Sequence, residues 1–207
     1  MLVMVPRIRI GAEAACVIAG LVVVSVGWGI DLLGVLSPGS GHDHGSPSSL
    51  FSRLNIASLG IGLAIIGVVY EHHSRLLHDP ILSLRYFAGY LVLIDGVLHL
   101  FALNDHLGHA VNAGFFAAVG LGEIAVGLAL PRLPPQHDPA WIALLLFLLA
   151  AYIVTRATVV WPNDDVETIE ALGLLSKAVE VLAVISLVSL VRRERRGTSP
   201  FATPDRT

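Results

Sequence analysis

The sequence predicts an all-α protein, a six-transmembrane-helix bundle with both termini in the cytoplasm. Of its 207 residues, 55% are hydrophobic and only 14% are charged, whereas about 25% of the residues in soluble domains are charged. The apolar residues fall into six runs, and each run has the roughly 20 residues that a helix needs to cross a bilayer. Most arginines flank these runs on one side of the predicted membrane, which indicates the orientation.

The six predicted spans cover most of the chain. In order, they are about residues 10–36, 54–72, 84–103, 111–131, 139–160 and 169–191. The first run is longer than the roughly 7–15 apolar residues of a secretory signal, and no small-residue cleavage site follows it, so we count it as a span. Residues 1–196 therefore form a single predicted integral membrane domain. The polar, proline-containing residues 197–207 are expected to be a disordered cytoplasmic tail.

Turn-forming residues separate the spans. Serine, proline and glycine in residues 37–41 end the first span, and Asp-Pro at 79–80 precedes the third. Prolines within 131–135 close the fourth span, and Trp-Pro-Asn at 161–163 ends the fifth. Because proline and glycine interrupt regular helices, these positions support six separate helices rather than fewer, longer ones.

The arginines predict which side of the protein faces the cytoplasm. With an even number of spans, one side carries Arg7, Arg9, Arg75, Arg85, Arg132, Arg192, Arg193, Arg195 and Arg196. Only Arg53 and Arg156 fall on the other side. Since cytoplasmic loops are enriched in arginine and lysine, we expect a multi-pass protein of the cell membrane with both termini inside. The connections expected to face outward contain histidine and carboxylate residues instead.

Ionisable residues within the third span mark a candidate site. Asp95 and His99 lie in an otherwise apolar run, where each such group costs roughly 2.5 kcal/mol or more. They are four residues apart and therefore share one helix face. His106 returns to that face if the helix continues, and His109 lies about 80° from His99 around the axis. One helix and its outer end can thus present a carboxylate and three imidazoles.

This spacing is typical of metal ligands. Imidazole suits copper, zinc, iron and nickel, and a carboxylate adds an oxygen ligand. The predicted metal ligands are Asp95, His99, His106, His109 and Glu123, with copper or zinc as the ion. Three other interpretations remain open. Asp95 can accept a hydrogen bond that orients His99, the polar groups can form an inter-helix contact with no metal, or they can handle protons or a substrate.

Further charged residues lie within the later spans. Glu123 lies in the middle of the fourth span, and Lys177 and Glu180 lie three residues apart in the sixth. A buried carboxylate needs a cation or a proton, and Lys177 can neutralise only one of these acids. Protons, a bound cation or Arg156 can compensate the remaining charge. Arg156, Lys177 and Glu180 are therefore predicted to form an ion-pair network or a proton relay.

A second candidate metal site lies in the first outward connection. His42 and His44 flank Asp43 within a segment rich in glycine, serine and proline. A His-x-His arrangement collects copper or zinc ions weakly, because a flexible loop does not hold its ligands in place. The alternative interpretation is a solvated loop without a metal.

Two stretches of the sequence resemble known membrane proteins. Residues 99–106, 114–116 and 120–123 resemble a pattern in uncharacterised small multi-pass membrane proteins of archaea and actinobacteria, and residues 151–156 and 170–180 are similar to their C-terminal half. The resemblance begins at residue 99 and continues through span five onward, so the region that contains these segments is somewhat over half of the chain. The resemblance implies a membrane protein with a shared polar site and implies no particular activity.

A shorter stretch is similar to the C subunit of copper membrane monooxygenases. Those subunits carry Asp-x3-His on a membrane helix and a further histidine thirteen positions after the first, and Asp95 and His99 match the first two residues. The third position is Asn112 here, and the nearest imidazole belongs to His109. The similarity covers about 15 residues, and it favours copper over other metals without implying the monooxygenase reaction.

The sequence therefore predicts a metal-binding membrane protein, with two rivals. One rival is a small proton-coupled transporter or permease, and the other is an accessory subunit of a larger membrane complex or a homo-oligomer. No catalytic motif argues for an enzyme, and no phosphate-binding glycine loop argues for a nucleotide or flavin cofactor. The only cysteine is Cys16, which excludes a cysteine-based zinc motif. The expected surroundings are a lipid bilayer, with no nucleic-acid partner.

Overall fold

Six long helices account for nearly all of the described chain in a computed structural model, which describes residues 11–37 and 47–197. The helices are α1 (Ala12–Leu36), α2 (Pro47–His78), α3 (Pro80–Asp105), α4 (Ala110–Ala129), α5 (Asp138–Ala157) and α6 (Ala171–Gly197). Two short 3-10 turns, Leu130–Arg132 and Pro135–His137, join α4 to α5. Within this part of the chain no strand occurs, and all six helices are long and apolar enough to cross a membrane. The predicted six-helix fold is confirmed.

Some predicted features lie outside the described residues. They include Arg7 and Arg9, the loop histidines His42 and His44, and the predicted tail beyond Gly197. The proposed loop metal site therefore stays a sequence-based prediction.

The helix boundaries differ from the predicted spans mainly at α2. The helix begins at Pro47, seven residues before the predicted start at 54, and ends at His78 instead of 72. Hydropathy detects only the apolar part of a helix, whereas the backbone hydrogen bonds continue into its polar ends. Proline is favoured at a first helical position because its missing N–H has no intrahelical partner there. At the start of α3, the Asp79 side chain caps the helix by accepting hydrogen bonds from two backbone N–H groups.

Helix α3 occupies the centre of the bundle. It packs against α4 and α6 along most of its length and makes smaller contacts with α1 and α2. Helix α1 packs mainly against α2, and α5 packs against α6. Ionisable groups on α3 are therefore surrounded by protein, whereas the outer faces of α1 and α5 expose apolar side chains as lipid-facing helices do.

Glycines bring α3 and α4 into backbone contact. A Cβ atom placed on Gly96 would lie 2.7 Å from the Gly120 carbonyl oxygen and 3.0 Å from the Cβ of Glu123. Gly89 and Gly127 make an equivalent close contact further along the same pair of helices. Small residues allow this close approach. The van der Waals packing that results holds the helices together in lipid, where no hydrophobic driving force acts between them. The contact at Gly96 places the side chain of Glu123 next to α3.

Two buried arginines join the helices near opposite ends of the bundle. Arg53 on α2 pairs with Asp31 on α1 at 3.0 Å and with Asp105 on α3 at 2.6 Å. Arg85 on α3 pairs with Asp138 on α5 at 2.9 Å and also donates to two carbonyl oxygens that follow α4. Both guanidinium groups are buried, and these contacts hold the helix ends in place around the central helix.

The glycine contact predicts a position-specific effect on stability. Gly120→Leu should lower the free energy of unfolding by about 1–3 kcal/mol, because the new side chain overpacks the α3–α4 contact. Gly122→Leu is the matched control, since nothing lies within 4 Å of a Cβ atom there. Denaturation in mixed micelles measures both variants. Equal stability of the two would contradict the proposed role of Gly120.

Candidate metal centre

Four ionisable residues from three helices meet in the interior of the bundle. Asp95 and His99 come from α3, Glu123 from α4 and Glu180 from α6. One potential ligand atom of each residue lies within 4.8 Å of those of the other three. All four side chains are buried, with at most 5% of any residue exposed. We call these four residues the metal centre; among the described residues, no other such group of metal-binding side chains is found.

The imidazole of His99 lies between the three carboxylates. Its Nδ1 atom is 2.7 Å from Oε2 of Glu123 and 3.9 Å from Oδ2 of Asp95. Its Nε2 atom is 3.9 Å from Oε1 of Glu180. When Nδ1 carries the ring proton, it donates to Glu123 and leaves the Nε2 lone pair free beside Glu180. A carboxylate partner on the other ring nitrogen is the usual way in which a ligating histidine is oriented.

Two further residues of α6 hold the carboxylates. The Ser176 hydroxyl donates a hydrogen bond of 2.6 Å to Oδ1 of Asp95, and the Lys177 ammonium donates to Oε1 of Glu180. Ser176 was not predicted as a site residue. Its spacing of four from Glu180, which puts both on one face of α6, was the signal available in the sequence.

Each carboxylate of the metal centre keeps one oxygen atom without a hydrogen-bond partner. These buried atoms are Oδ2 of Asp95, Oε1 of Glu123 and Oε2 of Glu180. Most buried polar atoms in proteins have a partner, so three exceptions in one group require an explanation. A bound cation would supply the missing interaction to all three.

The charges of the metal centre do not balance when its acids are ionised. Three carboxylates face one ammonium, that of Lys177, which leaves two negative charges in the interior of the bundle. Uncompensated charges in such surroundings are costly. A divalent cation would neutralise both, and so would two protons.

His106 and His109 lie apart from the metal centre. The α3 helix ends at Asp105, and the backbone turns at His106, so a continuing helix, the condition for His106 to share the face of His99, is not present. The His106 ring stacks on Phe116 with 4.4 Å between ring centroids, and its Nδ1 lies 2.8 Å from the Ala102 carbonyl oxygen. His109 is exposed at the start of α4. Of the predicted ligands, the structure brings together Asp95, His99 and Glu123.

Arg156 does not reach the metal centre. Its guanidinium donates to Oε2 of Glu167 at 2.6 Å and lies 3.9 Å from the centroid of the Tyr152 ring. It therefore compensates a carboxylate of the connection between α5 and α6. Lys177 and Glu180 are in contact, as their spacing indicated, and Glu180 also belongs to the metal centre.

Comparison of the chain with protein-family models, curated proteins and solved structures finds no match. The class of protein therefore follows from its own helices and residues. It is a multi-pass membrane protein with a buried histidine and carboxylate group that could hold a metal ion.

The charge imbalance predicts that a site residue lowers the stability of the metal-free protein. In the presence of a chelator, Glu123→Gln should raise the free energy of unfolding by about 0.5–2 kcal/mol, a gain typical of relieving strain at a functional site. The amide oxygen can still accept from His99, while a buried negative charge is lost. Asp165→Asn, in an exposed position, serves as the control. A marked loss of stability in Glu123→Gln would contradict the proposed imbalance.

Proposed function

We propose that this membrane protein binds one divalent transition-metal ion at the metal centre. The observation that carries the proposal is the set of three partnerless carboxylate oxygens around one imidazole. The ion would take these oxygens and a nitrogen of His99. Ser176 and Lys177 would keep their hydrogen bonds to the other oxygens and hold the ligands in position, as outer partners do in metalloproteins.

The donor set narrows the choice of ion. One imidazole with three carboxylates suits copper(II), zinc(II), iron(II) or manganese(II), and the absence of sulfur among these four residues argues against copper(I). The resemblance of Asp95 and His99 to a copper protein keeps copper(II) in first place, with zinc(II) second. Copper(II) binds most sites of this kind more tightly than zinc(II) does. Affinity therefore has to be compared across metals and across variants.

The depth of the metal centre in the bilayer follows from the orientation that we propose for the protein. With the arginine-rich ends in the cytoplasm, Asp95 and His99 lie in the outer half of the bilayer, because they belong to the second half of α3. An ion would then be bound nearer to the outer surface. No nucleophile or cofactor motif supports a particular reaction, so the proposal is limited to metal binding.

Metal analysis tests this function directly. The purified protein, loaded with copper(II) or zinc(II) and desalted, should retain about one ion per chain. His99→Ala and Glu180→Gln should weaken binding at least tenfold, because even outer partners of a metal contribute 10–100-fold. His73→Ala removes an exposed histidine and should bind like the unchanged protein. Equal metal content in an Asp95→Ala/His99→Ala double variant would rule out the site.

A second candidate function uses the same residues as a proton relay. Lys177 contacts Glu180, and Glu180 lies near His99, whose ring is hydrogen-bonded to Glu123. Titratable groups in contact inside a membrane are a typical feature of proton-coupled transporters. The partnerless oxygens would then carry protons rather than contact a metal ion.

Proton flux distinguishes the two functions. Proteoliposomes that enclose a pH-sensitive dye should acidify no faster than empty liposomes if the metal function is correct, with or without chelator. A proton flux that disappears in Glu123→Gln and persists in Asp165→Asn would favour the transporter. The comparison requires equal reconstitution of all variants, which is checked by protein content per liposome.

A further inference from the structure

A cavity of about 260 Å³ lies beside the metal centre. Its walls come from α3, α4, α5 and α6 and from the connection between α5 and α6. Helices α4 and α5 border it from two sides, yet they do not pack against each other along their length. Between the start of α4 and the end of α5, the cavity is therefore bordered by two helices that do not close on each other. A molecule dissolved in the bilayer would reach the cavity through this gap.

The walls of the cavity are mainly apolar. They include Leu98, Phe115, Phe116, Leu148 and Ala151. The rings of Phe115 and Phe116 meet edge to face, with 5.5 Å between centroids. Such a surface favours an apolar body. Polar side chains also line the cavity near the connection between α5 and α6, among them Asn112, Arg156, Asn163, Glu167 and Glu170.

Polar groups occur at the inner end of the cavity. His99, Ser176 and Lys177 line it there, and each contacts one carboxylate of the metal centre. The Lys177 ammonium has three N–H donors, and its hydrogen bond to Glu180 uses one. The ammonium also lies 5.6 Å from the ring of Tyr152. The inner end therefore offers hydrogen-bond donors to an incoming oxygen atom.

The charges around the inner end disfavour a charged ligand. An anion would approach the three carboxylates of the metal centre, which lie directly behind His99, Ser176 and Lys177. A cation would meet the ammonium of Lys177 at the inner end, whereas Arg156 and Glu167, which also line the cavity, already form an ion pair with each other. A neutral oxygen acceptor avoids both repulsions and still receives a charge-assisted hydrogen bond from Lys177.

We propose that this cavity binds a small neutral molecule that has an apolar body and a carbonyl oxygen at the end facing Lys177. Alkyl ketones and lipid-soluble quinones both have this chemistry. The proposal does not require a metal in the metal centre, because the walls and Lys177 are present in either state. The cavity is therefore a binding site in addition to the proposed metal site.

Binding of a labelled ketone to the full-length protein in lipid nanodiscs tests the proposal. Tritiated 2-undecanone should bind saturably, at about one molecule per chain after subtraction of empty nanodiscs. Undecane and undecanoate should each compete at least tenfold more weakly than the unlabelled ketone, because one lacks the oxygen and the other is an anion. A decyl-substituted benzoquinone that competes better than the ketone would identify a quinone-type ligand, and weaker competition would identify an alkyl ketone. Either of these two results supports the proposed chemistry.

Two variants locate the bound ketone. Ala151→Trp places a large side chain in the cavity and should weaken ketone binding at least tenfold. Ile153 lies on the same helix but faces away from the bundle, with 65% of the residue exposed. Ile153→Trp should therefore leave ketone binding unchanged. Lys177→Met should weaken ketone binding about tenfold and leave undecane binding unchanged, which corresponds to the loss of about 1.4 kcal/mol. Size-exclusion profiles confirm that each variant is folded; if Ala151→Trp is not, Lys177→Met decides.

The outcomes separate this proposal from the metal proposal. Ketone binding should change less than threefold when a chelator is added, even if the metal proposal is correct. Equal competition by undecane, preferred binding of undecanoate, or unchanged binding in folded Ala151→Trp would each overturn the proposed ligand site. None of these results depends on whether the metal centre binds an ion.

Discussion

The close contact between the backbones of α3 and α4 is the interaction on which the rest of the site depends. Gly96 and Gly120 let these helices approach until the Cβ of Glu123 lies beside α3. The same approach puts the Glu123 carboxylate within 2.7 Å of the His99 ring. A Cβ atom at either glycine would lie within 3.0 Å of a backbone oxygen of the other helix, so a larger residue there would force the two helices apart. Helix α6, which packs on another face of α3, then completes the group with Glu180.

The buried charged residues of the bundle form groups that differ in how completely their carboxylates are hydrogen-bonded. Around Arg53, both oxygens of Asp105 and both oxygens of Asp31 have hydrogen-bond partners, so neither acid keeps a partnerless oxygen, and the ion pairs join three helices. In the metal centre, each of the three acids keeps one partnerless oxygen. Asp138, which pairs with Arg85, also has one such oxygen, but within the described part of the chain three of them come together only in the metal centre. Because unpaired buried polar atoms are costly, a group of three favours a cation or protons that use those atoms. This difference is the physical basis for assigning function to one group and structural support to the other.

Lys177 connects the two sites that we propose. Its ammonium contacts a carboxylate of the metal centre and also lines the neighbouring cavity. A single positive charge there reduces the excess of negative charge without removing it, and it supplies a donor to the cavity. His99 of the metal centre and Ser176, which donates to Asp95, line the same cavity, so the two proposed sites adjoin each other.

The sequence by itself determined the six helices, because hydropathy and helix-breaking residues act locally. It also placed Asp95, His99 and Glu123 in one polar site, because an ionisable group inside a membrane is costly unless it has a polar or charged partner. The predicted third span ended at about residue 103, close to the observed end of α3 at Asp105, but the structure does not bring the predicted ligands His106 and His109 into that site. Only the tertiary structure brought Glu180 and Ser176 to Asp95 and His99 and paired Arg156 with Glu167. These contacts depend on the rotation and approach of separate helices. Glycine contacts and helix packing decide both, whereas the periodicity along one helix carries no information about them.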